Sequence, residues 1–249
     1  MITAGNIILL SLIIFTASVV RGFTGFGLAL VAVPLIQFLM PVTDTAVFIA
    51  MVNFVFSLLY YRRSSRVISG QPLGAMALWT GVGVAAGTLI LKFVNPAYIQ
   101  LGWGVLIIFI VYALFRGFNF HIGSDKRALT LSGLLGGTLA GATGITGPPV
   151  AVILSSMKTP KEKFNAVISV FILFAVSYAL VFYLITGLVR KETLLLALCT
   201  LPALLAGLYT GDRLVARISQ KAFTNIVYIV LVIMGLITLF KGAKALFGI

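Results

Sequence analysis

Between Gly5 and Met40 the chain stays apolar for 36 residues, with a single charge, Arg21, in the interior of the run. As one helix it would be about 54 Å long at 1.5 Å per residue, whereas a bilayer's hydrocarbon core is about 30 Å thick. The run must therefore be interrupted, and the sequence offers one place, the glycine-rich stretch GFTGFG from Gly22 to Gly27. Two short pieces remain, Gly5 to Val20 and Gly27 to Met40, each near the lower limit for a membrane crossing. Irregular backbone at membrane depth is tolerated only inside protein or against a water-filled cavity. The interruption thus implies a bundle built around it.

With 61% hydrophobic and 9% charged residues, the chain cannot clothe a soluble surface, which needs about 25% charged residues. Its apolar runs do not alternate with period two, so helices rather than a barrel are expected. The 18 basic residues give a net charge of +13. They are spread through short loops, as at the cytoplasmic edge of a membrane protein, and form no nucleic-acid face. No Lys or Arg precedes Arg21, so the amino terminus lacks a signal peptide's basic region and is expected to stay as the first segment. Cys199 is the only cysteine, which leaves no internal disulfide or cysteine metal site. It is expected as a small apolar residue packed in a helix. His121 falls in a polar linker, and no nucleophile sits beside a base. Nothing points to an enzyme, and no cofactor is expected.

The interruption has a twin. GFTGFGLALVAV (Gly22 to Val33) and GATGITGPPVAV (Gly141 to Val152) agree at six of twelve positions at an offset of 119 residues. After the first come apolar segments at Thr45 to Tyr61, Gln71 to Leu91 and Ala97 to Phe115. The second half repeats the order: Ala128 to Ala140, Gly147 to Met157, Phe164 to Val189, Thr193 to Gly211 and Ala222 to Phe240. As a weaker echo, Gly87 falls opposite Gly207 at an offset of 120. The expected fold is an all-α polytopic membrane protein of two repeats, 1–117 and 128–249, joined by a basic linker, 118–127. Each repeat has about five membrane segments, the first two short and joined by a Gly-rich break. Glycines four apart, Gly83/Gly87, Gly137/Gly141 and Gly207/Gly211, are expected where helix backbones touch.

Loop charge decides how the repeats are related. If each break only kinks one crossing, the repeats are parallel and basic residues divide ten to seven between the two sides. If each break turns the chain back, the loops after Tyr61, Phe115, Met157 and Gly211 share a side and the division is twelve to five. Positive loops lie inside, so the second reading is favoured: inverted repeats with both termini outside.

A helix break frees backbone N–H groups, and a half-helix that begins there points its positive dipole end into the gap. Together with hydroxyls, these make a site for a small anion. The candidate residues are Arg21, Thr24, Gly25 and Gly27 at the first break, Thr143, Gly144, Thr146 and Gly147 at the second, and Asn53 in the following span. Arg21 is the one charge embedded in a break, and its counterpart in the second half is Ala140. Charges within spans are costly and functional by default, although an arginine can also snorkel to the interface. The threonines could instead cap their own helices, and Asn53 could bond to a neighbouring helix. Asp44, Asp125, Glu162, Glu192 and Asp212 all lie in loops or at span ends, so no mid-span acid offers a proton relay.

These stretches carry a family resemblance. GFTGFGLALVAVPL (Gly22 to Leu35), its partner GATGITGPPVAV, the Tyr61-Arg62-Arg63 loop and the span around Gly81, Gly83 and Gly87 resemble the TauE/SafE sulfite exporter family over nearly the whole chain. The resemblance implies a multi-pass inner-membrane permease for sulfite, organosulfonates or related sulfur anions. The family's break usually carries a longer glycine run; here Leu28 and Ala29 occupy part of it, and Pro148 and Pro149 part of its twin. The expected activity is export of a small anion through a midplane site formed by the two breaks. An anion channel, an uptake permease and a non-transporting assembly factor are the competing readings. The expected partners are the small anionic substrate and the bilayer, with room for a homo-oligomer.

Overall fold

The computed structural model describes residues 4–24, 27–64, 73–115, 125–156, 161–215 and 220–247. These form ten helices: α1 (Ala4–Thr24), α2 (Leu28–Ile36), α3 (Val42–Ser64), α4 (Leu73–Phe93), α5 (Pro96–Phe115), α6 (Asp125–Thr143), α7 (Pro148–Ser156), α8 (Lys161–Ile185), α9 (Lys191–Val215) and α10 (Gln220–Phe247). Stretches of α1, α3, α4, α8 and α9 are long and apolar enough to cross a membrane. The chain is a multi-pass helical membrane protein. Helices α2 and α7, of nine residues each, reach only about 13 Å.

Several boundaries differ from expectation. Helix α1 continues past Val20 to Thr24, which puts Arg21 in its last turn. A cation suits the negative end of the helix dipole there. Helix α3 runs on to Ser64, so Tyr61, Arg62 and Arg63 lie on its final turn. Helix α6 starts at Asp125, taking three residues from the expected linker, because an acidic residue favours a helix start. Helix α8 stops at Ile185, and Gly187, at φ 71°, turns the chain. Cys199 does lie in a helix, but on its exposed side, where lipid takes the place of protein. Gly25 and residues 116–124, with His121, lie outside the described residues.

Glycine sets the closest packing. A Cβ on Gly83 would lie 2.3 Å from the Leu134 carbonyl oxygen, and one on Gly87 2.0 Å from that of Thr138. Gly133, Gly137 and Gly141 meet Met76, Thr80 and Val84 in the same way. Helices α4 and α6 therefore run in the same direction with backbones in contact, which only residues without a side chain allow. Gly207 meets Phe15 and Gly211 meets Val19, so α1 and α9 also run in one direction. Gly104 meets Gly235 and Leu239, while Gly242 meets Ala97 and Leu101. Helices α5 and α10 accordingly run oppositely.

These contacts are symmetric under exchange of halves. Phe15 and Leu134 are one repeat offset apart, as are Val19 and Thr138. Gly207 and Gly211 therefore do for the second half what Gly83 and Gly87 do for the first. This corrects the alignment that set Gly87 opposite Gly207. The pairing of fourth helix on first is preserved by contact, and the chain between them differs in length. Likewise α2 packs on α10 and α7 on α5, α3 on α9 and α8 on α4, and α3 on α8. Helix α2 is almost wholly buried and α3 nearly so through Val42–Phe56. Helices α4, α5, α9 and α10 show apolar faces such as Leu78, Phe109, Leu198 and Phe240 to the lipid.

Candidate functional site

Arg21 is only 2% exposed, so it does not snorkel. Its guanidinium donates to the Asn53 side-chain oxygen and, at 3.2 Å, to Ser57 Oγ, and lies 3.6 Å from the centre of the Phe56 ring. Asn53, Phe56 and Ser57 are three or four residues apart on α3, so they form one patch of helix face. Asn53 thus makes the expected helix-to-helix bond. Its Nδ2 amide is buried without a partner among the described residues, leaving a donor at the guanidinium's side. Ser57 and Phe56 were not singled out from the sequence. Their signal was spacing: each sits within one turn of the only amide in that span.

Across the break from Arg21, α2 starts after Gly27, which has helical dihedrals (φ −72°, ψ −9°) and supplies no side-chain cap. By helix geometry the N–H groups of Leu28, Ala29 and Leu30 have no acceptor within α2. They carry the positive end of its dipole. Thr24 is the last residue of α1, with a side chain outside the described set, as is Gly25 altogether.

The second break is built differently. Thr143 ends α6, donates its hydroxyl to the Leu139 carbonyl at 2.6 Å and accepts from the Ile145 N–H at 3.3 Å. Its hydroxyl is used as a local cap. Gly144 takes φ 78°, and a Cβ there would lie 2.9 Å from the Ala46 carbonyl oxygen, so both conformation and space call for glycine. Thr146 and Gly147 are buried beyond it. Helix α7 then opens on Pro148 and Pro149, whose missing N–H groups remove two of the donors that α2 presents. The Tyr183 hydroxyl of α8 donates to the Gly141 carbonyl at 2.8 Å, with the Ala140 carbonyl oxygen at 3.1 Å. At the position of Arg21, then, the second half has an alanine whose carbonyl meets a buried tyrosine. Tyr183 carries no signal in the sequence, since a tyrosine in an apolar span looks like any aromatic until its partner is placed.

Helix α3 brings the breaks together. Gly144 packs on Ala46 and Ile49, and one turn further along the same face, about 6 Å by helix rise, Asn53 holds Arg21. One side of this site carries a guanidinium, an amide with no partner among the described residues and a helix start with no side-chain cap; the other carries the self-bonded Thr143 hydroxyl and close-packed backbone. A small anion is the ligand these donors suit.

The family model described as Sulfite exporter TauE/SafE matches residues 10–238, spanning both breaks and the α3 face between them. No curated protein and no solved structure gives a significant match.

Proposed function

Since the chain belongs to the TauE/SafE sulfite exporter family, whose members are membrane transporters of sulfur anions, we propose that it exports sulfite or a related small sulfonate through a midplane site centred on Arg21. The observation that carries this reading is the buried guanidinium near the end of α1, bonded to Asn53, with α2 starting a few residues on without a side-chain cap. The second break closes the site from the far side with backbone and contributes little charge.

Two observations support inverted repeats around this site. Asn6 and Leu10 near the start of α1 line the same cleft as Leu39, Met40 and Pro41 after α2. After its break the chain has therefore come back to the side where α1 began. The opposed directions of α5 and α10 fit the same reading: a two-fold axis that relates two antiparallel neighbours lies across them, and hence in the membrane plane. An axis along the membrane normal would leave them parallel.

Export needs no coupled ion here. An interior-negative potential favours outward anion movement by about 2.3 kcal/mol per charge per 100 mV. Among the described residues the acids stand at helix ends, as Asp44 and Glu192 do.

The test is sulfite flux in proteoliposomes. Arg21→Ala should lower it by about 100-fold, the scale expected when one partner of a buried charge contact is removed, with folded protein recovered in similar amount. Arg21→Lys should retain part of the flux, since it keeps the charge and loses the planar fork. Wild-type flux in both variants would remove the proposed site.

A further inference from the structure

A cleft of about 610 Å³ opens between the starts of α1, α3 and α9, lined by Asn6, Leu10, Asp44, Arg190, Glu192 and Leu196 among others. Leu10 precedes Arg21 by eleven residues and Asp44 precedes Asn53 by nine, so the cleft lies about 13–16 Å along these helices from the site. Between the two, Ile14 and Ala17 on α1 and Phe48 on α3 are fully buried, and the cleft stops above them. Helix α9 starts at the cleft and reaches the level of the break, where Gly211 meets Val19 and Gly22. The cleft is therefore a vestibule, closed below, on the side where the basic-poor loops lie.

One ion pair joins the two repeats across its wall. Arg190 Nη1 lies 3.1 Å from Asp44 Oδ2, with the arginine side chain 65% exposed and the aspartate 12%. The second oxygen, Asp44 Oδ1, is buried without a partner among the described residues. Surface ion pairs contribute little to stability. A half-buried pair holding the start of α3 to the start of α9 is better suited to deciding whether those helices stand together or apart. We propose that the Asp44–Arg190 pair is the outer gate of the pathway, closed in this structure and broken each time the anion leaves. Opening parts α3 from α9 down to the level of Ile14 and Phe48, which unplugs the path from the site, and turns Arg190 toward the departing anion. Glu192 then stands with Asp44 as a second carboxylate on the wall, so the anion is not retained.

The gate rests on the reading of Arg21 as the substrate site, and the experiment separates the two. In a Cys199→Ser background, Asp44→Cys and Arg190→Cys are bridged by a short, reducible bis-methanethiosulfonate. Bridging should lower sulfite flux by at least about tenfold, as expected when a required opening is blocked, and reduction should restore it. Sulfite should still raise the melting temperature of the bridged protein. Full flux while bridged overturns the gate. Adding Arg21→Ala to the bridged protein should abolish the sulfite-induced shift; a shift that persists overturns the site and leaves the gate standing. Arg190→Gln on its own should raise labelling of Ile14→Cys by a membrane-impermeant thiol reagent about threefold or more, because the pair no longer holds the closed state. Unchanged labelling counts against the gate.

Discussion

The two breaks share half of their aligned residues and are built differently. Both sit where a first helix ends and a nine-residue helix begins, and both lie against α3. The first keeps a guanidinium, an amide donor and a helix start with no side-chain cap. In the second, Pro148 and Pro149 have removed donors, Thr143 caps its own helix and Tyr183 holds the carbonyl end of α6. The scaffold is alike in both halves, as the matching contacts of α1 with α9 and α6 with α4 show, while the polar groups differ. In the proposed function the site is chemically asymmetric: one break holds the anion while the other supplies a rigid wall.

The largest effect should come from the polar network that only the first half has. Asn53→Leu leaves a buried guanidinium without its amide acceptor, a loss of about 3–5 kcal/mol by analogy with broken buried pairs. Sulfite flux should collapse and the melting temperature fall sharply. The position one repeat offset away is Ile172, fully buried in α8. Ile172→Leu should cost less than about 1.5 kcal/mol, as volume-conserving swaps do. Equal losses at both positions would break the asymmetry.

Next comes backbone conformation, where the demand lies in the second break. Gly144→Ala meets both the left-handed region, about 1–2 kcal/mol for a residue with a Cβ, and the Ala46 carbonyl oxygen at 2.9 Å. Gly187→Ala has a similar φ, 71°, but open space around its Cβ, and should cost only the conformational part. Thermal melts of the two variants in one detergent measure the difference. If they coincide, the close approach of α3 to the second break is not tight.

Much of this was legible in the sequence because it depends on length and pattern. A 36-residue apolar run was too long for one crossing, α1 ends at Thr24 and α2 starts at Leu28, and glycines four apart did mark touching backbones. Arg21 and Asn53 stood out as polar groups in apolar spans. What could not be read was partnership across long separations. Asp44 and Arg190 are 146 residues apart in the chain, and Tyr183 reaches Gly141 from another helix. The equivalence of Gly83 with Gly207 was hidden because helix contact, not residue count, fixes it. Thr143 could be either a ligand or a cap by sequence, since one hydroxyl serves both uses; only the position of the Leu139 carbonyl decides.

Tyr183→Phe should have a smaller effect. It removes one neutral hydrogen bond, worth about 0.5–1.5 kcal/mol, and frees the end of α6 without touching the charged side of the site. Flux should drop by less than about tenfold, a limit set by that energy, with the melting temperature down in proportion. A loss as deep as that of Arg21→Ala would mean that the second break handles the anion after all.

The smallest effect is expected at Thr143. Its hydroxyl already donates to Leu139 and accepts from Ile145, so Thr143→Val removes local hydrogen bonds worth about 1 kcal/mol net. Flux should stay within about threefold of wild type, because a cap acts on the stability of both transport states alike. The informative outcome is a split between the two measurements. A large flux loss at an unchanged melting temperature would show that the hydroxyl leaves its cap to meet the anion during transport. The two breaks would then share the site more evenly than their resting geometry suggests.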